Sequence, residues 1–333
     1  RITEDLAVQA RGSMDYVTDK FRQKFYASTA PALAGSNGRY IESDYEQELT
    51  YGDVIGTYKK KWNDFSLNVS LGASINNNKV NELRYDSKTA SLKYANVFNI
   101  ANINMTTSAY ITQRIDATRQ IQSVFGTAQF GFRKFLFLDV SARNDWSSTL
   151  AFTSHESTGF FYPSFGVSLL IDQLFKLPGW VNFGKLRGAW SKVGNDIPLY
   201  ITNPVAHVLA GGGIQASDAA PFEEMQPEVN RSLEFGTEWK CLNNRLHLDF
   251  TYYRTCTRNQ FFKLAAEDGD EYAYRYVNAG NIRNEGVELL VEGEPVVASG
   301  FTWKTGVNYA FNKNKVIRLH KELPVFQYGP YGF

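Results

Sequence analysis

The stretch that decides the fold is residues 123–150, SVFGTAQFGFRKFLFLDVSARNDWSSTL. Its second half alternates strictly. The even positions are apolar, namely Leu136, Leu138, Val140 and Ala142. The odd positions carry one aromatic residue and three polar or charged residues, namely Phe137, Asp139, Ser141 and Arg143. Because successive side chains of a strand point to opposite faces, this pattern predicts a strand with one apolar and one polar face.

Strand length and the two kinds of connection indicate what sheet this is. The two predicted strands are longer than the five or six residues usual in soluble proteins. Arg133 and Lys134 form a tight link between them, whereas a long polar connection, residues 147–158, follows. Long alternating strands with short turns at one end and long loops at the other are typical of transmembrane β-barrels. We therefore predict an all-β fold that is part of an antiparallel transmembrane barrel.

The same alternation recurs along the chain and predicts which side chains face lipid. It is clearest in residues 65–75 and in residues 246–253. The side chains expected to contact lipid are Leu67, Val69, Leu71, Leu246, Leu248 and Phe250. Those expected to face the lumen are Asn68, Ser70, His247 and Asp249. An arginine at Leu248 should then destabilise the barrel by about 2–4 kcal/mol, and one at Asp249 much less.

Turn residues divide the chain into about ten to twelve strands. Besides the hairpin of residues 123–150, the candidate segments, the first of them weakly patterned, are 12–29, 45–60, 65–75, 91–100, 102–113, 160–174, 183–193, 233–240, 246–253, 281–294 and 301–313. Polar and Gly- or Pro-rich segments predict loops at 76–87, 197–229 and 259–271.

Composition narrows the possible partners. The 333 residues are 43% hydrophobic and 15% aromatic, and the net charge is +1. This balance gives no basis for nucleic-acid binding, which relies on clustered Lys and Arg. No apolar stretch approaches the eighteen or so residues that a membrane helix requires. Barrel strands leave no such signal because their residues alternate.

The two cysteines are expected to remain free. Cys241 lies beside a predicted turn at Asn243 and Asn244, and Cys256 lies far along the opposite arm of that hairpin. Such a separation exceeds the reach of a disulfide, whose Cα atoms must lie within about 7 Å. Both residues are therefore interpreted as small apolar side chains.

Several segments together identify a family. They are residues 122–150, FYPS at 161–164, FGKLRGAWSKVGND at 183–196 and NAGNIRNEGVEL at 278–289. Two further signatures are QPE at 226–228 leading into SLEFG at 232–236, and NAG at 278–280 followed by EGVE at 285–288. From about residue 51 onward the chain resembles the barrel of a SusC/RagA-type TonB-dependent transporter of the Bacteroidetes outer membrane.

The resemblance implies a larger assembly in the bacterial outer membrane. It implies a plugged barrel of roughly 22 strands, of which this chain holds part. The start RITEDLAV and the turn-like end PVFQYGPYGF suggest an internal piece, so the signal peptide, the plug and the closing strands are expected outside it. The implied partners are a SusD-like surface lipoprotein, the TonB complex acting through the plug, outer-membrane lipid, and an oligosaccharide or peptide substrate.

No residue pattern predicts catalysis or a cofactor. The zinc-protease motif HExxH, paired cysteines at zinc spacing and the GxSxG nucleophile turn are all missing from the sequence. The acidic run at 267–271 could bind calcium through Asp268 and Asp270, although it lacks the spacing of an EF-hand. A solvated loop tip is the preferred interpretation of that run.

The segment 197–229 is the main candidate for contact with substrate or with the lipoprotein. At this length a loop is usually either functional or disordered, and its four prolines favour order. Its polar candidates are Asn203, His207, Gln215 and Asp218. Phe222 could stack on a sugar ring or pack the loops together. The whole segment could equally fold inward and only narrow the lumen.

A second function from another class remains open at this stage. The chain could be a non-transporting, extracellular β-rich module that holds glycan in its long loops. A barrel should fractionate with outer membrane and require detergent, whereas such a module should be soluble. Strand length and the two-faced alternation favour the barrel.

Overall fold

Long strands dominate the computed structural model, which describes residues 2–88, 92–105, 110–208, 214–266 and 269–319. The wall strands are β1 (Leu6–Phe25), β2 (Arg39–Trp62), β3 (Phe65–Asp86), β4 (Tyr110–Phe132), β5 (Leu136–Ser147), β6 (Phe160–Leu170), β7 (Val181–Asn195), β11 (Glu228–Cys241), β12 (Leu246–Ala265), β13 (Tyr274–Ala298) and β14 (Phe301–Arg318). Three short strands lie between β7 and β11, namely β8 (His207–Val208), β9 (Ile214–Gln215) and β10 (Ala219–Ala220). The four-residue helix α1 (Ile171–Leu174) connects β6 to β7. Among the residues described, no helix combines the length and apolar character needed to cross a membrane.

The wall is a sheet in which each strand pairs with the next wall strand along the chain. All these pairs are antiparallel, from β1 to β7 and from β11 to β14. β7 pairs directly with β11, so residues 196–227 leave the sheet and return to it at the same edge. β10 runs parallel to the start of β13. The predicted antiparallel wall of ten to twelve strands is confirmed.

The turns define two ends of the wall. We call the edge that carries the turns at Asn63, Arg133 and Asn243 the short-turn end, and the opposite edge the long-loop end. Arg133 and Lys134 both adopt positive φ, 45° and 62°, which glycine or asparagine would adopt more easily. Arg133 is held there by the neighbouring turn, because its Nε donates to Asp64 Oδ2 at 2.7 Å.

The strand register joins the alternating patterns into two continuous faces. One row crosses the sheet through Phe130, Leu138, Val167, Gly188, Phe235, Tyr252, Val287 and Phe311, each opposite the next. The adjacent row, one residue along, contains Gln129, Asp139, Gly166, Ala189, Glu234, Tyr253, Gly286 and Asn312. We call the first the apolar face and the second the polar face.

The apolar face is uncovered. Leu71 is 66% exposed, Phe235 is 53% exposed and Val307 is 67% exposed. Monomeric soluble proteins rarely expose contiguous apolar patches of more than a few hundred Å². An uncovered apolar band along adjacent antiparallel strands is what a bilayer-spanning barrel presents to lipid.

Buried apolar side chains instead collect at the long-loop end. Leu150, Ile197 and Met225 are each no more than 1% exposed. They lie in the connections rather than in the middle of the wall strands. The wall therefore carries packed loops at this edge.

Four predicted boundaries differ from the structure, two of them around β3 and the loop after it. The predicted loop 76–87 is wrong, because β3 continues to Asp86 between β2 and β4. Polar side chains pair across those strands, as when Gln120 Nε2 donates to Asn77 Oδ1 at 2.7 Å. The predicted strand 91–100 is wrong, because the described residues 92–100 are irregular apart from a single bridge between Leu92 and Ile103.

In the two other cases a strand starts later, or continues further, than predicted. The strand predicted at 102–113 begins only at Tyr110. The loop predicted at 259–271 starts too early, because β12 continues to Ala265 past an unpaired Asn259 at φ 58°. Gly280 is unpaired opposite it at φ 82°, which a glycine adopts without strain. Cys241 and Cys256 are free, as predicted.

Candidate functional site

On the polar face, an arginine side chain extends over a glycine of the neighbouring strand and contacts the strand beyond it. Arg187 on β7 lies opposite Gly236 on β11. Its guanidinium passes over that glycine and donates to both carboxylate oxygens of Asp249 on β12, at 2.8 and 3.1 Å. It also donates to Thr251 Oγ1 at 2.6 Å. A Cβ at Gly236 would lie 2.5 Å from Arg187 Nε, so the crossing requires glycine.

A tyrosine makes the same kind of crossing one strand further along. Tyr253 on β12 lies opposite Gly286 on β13, which lies opposite Asn312 on β14. The Tyr253 hydroxyl donates to Asn312 Oδ1 at 3.3 Å across that glycine. The glycines of SLEFG and EGVE thus occupy equivalent positions, and each lets one side chain link three strands.

His247 and Asp249, both expected to face the lumen, lie on this polar face. His247 Nε2 lies 3.2 Å from Glu238 Oε1, and its Nδ1 lies 3.2 Å from Glu292 Oε2. The histidine thus sits between carboxylates from both neighbouring strands. With the Arg187–Asp249 pair, it forms a charged ladder along β7, β11, β12 and β13 toward the short-turn end.

Asn68, the third residue expected in the lumen, lines an open depression of about 450 Å³ on the wall. Gln129 donates to Asp139 there at 2.8 Å, and the hydroxyls of Ser141 and Ser164 lie 2.6 Å apart. The Asn68 Oδ1 atom is buried and accepts no hydrogen bond from the described residues. The depression is therefore lined by several polar side chains.

The long-loop end carries a packed cluster, which we call the rim cluster. Its buried members are Leu150, Ile197, Ile201 and Met225, and the partly buried side chains against them are Phe160, Phe222, Phe261 and Tyr276. The members come from the 148–160 connection, from the 196–227 segment and from β12 and β13. Phe222 therefore packs the loops together, which is one of the two roles considered for it. Both ends of the 196–227 segment thus contribute to a core that they share with neighbouring elements.

Asp196 anchors the beginning of that segment. Its carboxylate accepts hydrogen bonds from Ser147 Oγ at 2.8 Å and from Thr149 Oγ1 at 2.6 Å. The amide of Ile197 donates to the same carboxylate at 2.9 Å. Four residues from two connections therefore meet where the chain leaves β7.

Asn278 anchors the end of the segment. Its Oδ1 accepts from the amide of Gln226 at 2.7 Å, and its Nδ2 donates to the Gln226 carbonyl at 2.9 Å. The same Nδ2 donates to the Asn259 carbonyl at 2.9 Å. The QPE and NAG segments, separate in the sequence, are thus one clamp. It holds the returning segment against β12 and β13.

This clamp gives a first testable prediction. In Asn278→Asp the side chain keeps its size but loses the donor to Gln226 and Asn259, and the carboxylate then faces two carbonyl oxygens. The clamp hydrogen bonds are exposed or part-buried, so their loss costs about 0.5–1.5 kcal/mol. We expect hydrogen exchange to accelerate in residues 196–228 and to be unchanged in residues 65–75. Unchanged exchange in residues 196–228 would show that the clamp is dispensable.

A second packed cluster lies at the same end over β2 and β3. Tyr40, Leu92 and Ile103 are its buried members. Asn102 supports it, because its Nδ2 donates to the carbonyls of Tyr94 and Val97 at 2.8 and 2.7 Å. The residues 92–105, which the sequence analysis assigned to strands, are therefore an ordered loop held by an asparagine.

Asp86 pairs the end of β3, just before this loop, with Arg39 at the start of β2, and it gives a pH prediction. Arg39 donates to both Asp86 oxygens, at 2.9 and 2.7 Å. Burial raises the pKa of Asp86, but the hydrogen bonds from Arg39 and the Lys88 amide lower it more, so the pKa lies below its usual value. A depressed carboxyl pKa stabilises the fold above the unfolded-state pKa, and this stability is lost as the pH falls through the folded-state pKa.

We therefore expect residues 92–105 to lose protection against hydrogen exchange as the pH falls below about 4, after correction for intrinsic exchange. Asp86→Asn should be less protected at neutral pH and should lose the acid transition. Acid transitions of the same size in both proteins would contradict the role of Asp86.

The other candidate residues are spread over the long-loop segment. Asn203 and Asp218 are exposed, and the Asp218 carbonyl accepts from the amides of Ala273 and Tyr274. His207 and Gln215 lie opposite each other in the β8–β9 hairpin.

The two calcium candidates are only partly covered by the structure. Asp268 lies outside the described residues, whereas Asp270 is described and exposed. Within the described part of the chain, no group of three His, Cys, Asp or Glu residues could hold a metal ion.

Sequence reasoning missed the residues that organise the site. Arg187, Asn278 and Asn102 act on partners far away in the sequence, so no local spacing reveals them. The usable signal was a glycine inside a strand, which often marks a close approach of another group. Gly236 and Gly286 carry that signal.

Comparisons with known proteins fit this architecture. The family model described as TonB dependent receptor-like, beta-barrel matches residues 3–325. The TonB-dependent receptor P3 of Formosa agariphila is 25% identical over 309 residues, which cover 89% of this chain and 30% of that protein. The TonB-dependent receptor P26 of the same organism is 26% identical over 209 residues, covering 60% of this chain and 21% of that protein.

Solved structures share the fold. The RagAB peptide transporter superimposes with a TM-score of 0.78 at 18% identity, covering 98% of this chain and 36% of that chain. The RagAB peptide importer in its open-open state gives a TM-score of 0.75 at 19% identity, over 96% of this chain and 35% of that chain. The chain thus spans about a third of the length of the relatives it matches.

Proposed function

Because the chain belongs to the family of TonB-dependent receptor-like β-barrels, we propose that it forms part of the wall and rim of a nutrient importer energised through TonB. It is a SusC/RagA-type barrel and an outer-membrane protein. The observation that carries the proposal is the two-faced wall: a continuous apolar face for lipid, and a polar face crossed by Arg187 and Tyr253.

The proposed cargo is a polar oligomer, either an oligosaccharide or a peptide. The polar face supports this class, because it presents amide, hydroxyl and carboxylate groups such as those around Asn68. Those groups can form hydrogen bonds with the polar groups of an oligosaccharide or a peptide, whereas a hydrocarbon has no donors or acceptors. The RagAB neighbours are a peptide transporter and importer, which makes peptide the first cargo to test.

The proposed partners act at the two ends of the barrel. A SusD-like lipoprotein would cover the long-loop end, where the rim cluster gives an ordered surface for docking. The TonB complex would act through a plug inside the lumen, against the polar face. We propose no catalytic role and no cofactor.

The alternative of a soluble glycan-binding module is disfavoured by the exposed apolar face. A soluble module would have to cover side chains such as Leu71 and Val307, which are 66% and 67% exposed. Membrane fractionation tests this choice. The full-length protein should appear in the outer-membrane fraction and require detergent, and recovery in the soluble fraction would refute the barrel proposal.

The proposed role of the rim is tested by shortening the long segment between its anchors. Residues 206–216 can be replaced by a short Gly/Ser link while Asp196, β10, Phe222 and the Gln226–Asn278 clamp are kept. We expect normal barrel assembly and at least roughly tenfold weaker lipoprotein binding or uptake, because about 1.4 kcal/mol of lost contact is a factor of ten.

Two cargo arms and one control sharpen this test. Uptake is measured with a pool of peptides and with a pool of oligosaccharides, and the pool that supports growth identifies the cargo class. The Asn203→Ala variant, with the segment at full length, serves as the control for removal of a single polar group. Uptake and lipoprotein binding that both survive the replacement would show that the segment only narrows the lumen.

A further inference from the structure

A set of basic side chains lies on the apolar side of the wall, directly beyond the uncovered apolar band. On β11 to β14 the band ends with the row Phe235, Tyr252, Val287 and Phe311. The next row on the same face contains Leu233, Arg254, Glu285 and Lys313. The two rows after it contain Arg231, Cys256, Arg283 and Lys315, and then Val229, Arg258, Asn281 and Arg318. We call the basic residues of these three rows the cationic patch.

The cationic patch is unbalanced in charge. It contains Arg231, Arg254, Arg258, Arg283, Arg318, Lys313 and Lys315, and the only acid in the same three rows is Glu285. Arg283 Nε lies 3.5 Å from Glu285 Oε2, and this is the single ion pair found among the described patch residues. The Arg283 Nε atom is buried and has no hydrogen-bond acceptor in the described structure. Apart from Arg283, the basic side chains of the patch have no ion-pair partner among the described residues.

The height of the patch corresponds to the membrane surface. Arg231 and Leu233 lie about ten residues along β11 from the short turn, and a transmembrane strand needs about 9–11 residues. Trp190 lies in the same row as Leu233, and its ring stacks on Phe165 with centroids 6.0 Å apart. Aromatic side chains gather where the hydrocarbon meets the head groups. The patch therefore begins at the head-group level of the leaflet at the long-loop end.

The patch is local and not a general feature of this wall. Beyond the apolar band on β2, β3 and β4, one row contains Thr50, Asn77 and Gln120, and the next contains Glu48, Lys79 and Thr118. Those rows carry one acid and one base. If these rows needed only polar side chains that face water, acids and bases would serve equally well. The concentration of basic residues on four adjacent strands therefore needs another explanation.

From this placement, we propose that the outer surface of β11 to β14 binds the phosphate-bearing head group of a lipid in the adjoining membrane leaflet. Arg254, Arg283 and Lys313 lie on neighbouring strands next to the apolar band. The acyl chains would lie against Tyr252 and Phe311 while the head group meets the cations. Guanidinium groups bind phosphate oxygens in a bidentate manner, and each basic side chain near an anionic membrane surface contributes about 1 kcal/mol.

The test measures lipid affinity of the full-length protein in detergent by native mass spectrometry. The probe is dioleoyl phosphatidic acid, with dioleoyl phosphatidylcholine as the zwitterionic comparison and inorganic phosphate as competitor. The patch variant is Arg231→Gln/Arg254→Gln/Lys313→Gln. The control variant, Lys20→Gln/Lys59→Gln/Lys79→Gln, removes the same charge elsewhere on the wall.

We expect the patch variant to bind phosphatidic acid at least roughly tenfold more weakly, since each charge is worth about fivefold. The control variant should keep wild-type affinity. Arg231→Lys/Arg254→Lys, which keeps both charges but loses the bidentate guanidinium geometry, should bind more weakly than wild type and more tightly than the patch variant. Should the triple variant fail to assemble, Lys313→Gln/Lys315→Gln carries the same expectation of weaker binding. Three results would each overturn the proposal: equal affinity for phosphatidylcholine, equal loss in the control variant, or displacement of the lipid by millimolar inorganic phosphate.

Discussion

An arginine in place of Leu248 should lower the free energy of unfolding by about 2–4 kcal/mol. Leu248 lies in the apolar row between Trp239 and Val291, where no polar group is available to pair with a guanidinium. The charge would have to sit in hydrocarbon or distort the surrounding bilayer. The measurement is reversible refolding of the full-length protein into liposomes.

The control position has to be chosen from the polar face. The sequence alone suggested that arginine at Asp249 would be mild, but Asp249 is the bidentate partner of Arg187. Arginine there would place two guanidinium groups together, so Asp249→Arg should also destabilise. Ser70 lies on the polar face without an ionic partner, and Ser70→Arg should cost less than about 1 kcal/mol. Equal losses at Leu248 and Ser70 would contradict the assignment of the two faces.

Alanine in place of Gly286 should be the most damaging small substitution in the wall. The new Cβ would overlap the backbone carbonyl of Phe311 on β14, and would lie 2.7 Å from the Tyr253 hydroxyl. A backbone carbonyl cannot turn away as a flexible side chain can, so β13 and β14 would have to separate. Overpacking of this kind costs about 1–3 kcal/mol, and loss of the Tyr253–Asn312 hydrogen bond adds to it.

Gly166→Ala is the matched control for this substitution. Gly166 also lies on the polar face, but its added Cβ would make ordinary contact, 3.5 Å from the Asp139 Cβ. We expect Gly166→Ala to remain within about 0.5 kcal/mol of the parent protein in the same refolding assay. A Gly286→Ala protein as stable as Gly166→Ala would show that the crossing by Tyr253 is not required.

The period-two pattern predicted the faces because a slip of one residue would turn every apolar side chain around. Leu248 and Asp249 could therefore be assigned without knowing their neighbours. The pattern does not extend beyond the apolar band, since both faces there meet water. Residues 76–86 consequently looked like a loop, although hydrogen bonds from β2 and β4 hold them as a strand.

The organisation of the long-loop end could not be predicted for a related reason. Asn278 resembles any polar loop residue until the fold brings Gln226 beside it. Phe222 is equally compatible with stacking on a ligand and with packing, and only the position of Leu150 and Met225 decides between them. Contacts between residues far apart in the chain leave no periodic signal in the sequence.

The two anchors of the segment between β7 and β11 have an evolutionary consequence. Asp196 fixes its first residue and Asn278 fixes its last turn, and neither anchor depends on the residues in the middle of the segment. Insertions, deletions or recombination between the anchors can therefore change the surface shown to the environment while the wall keeps its register. The middle of the segment can therefore diverge while the barrel is unchanged. Exchanging it between barrels that share both anchors should transfer the recognition of cargo or partner without further changes to the wall.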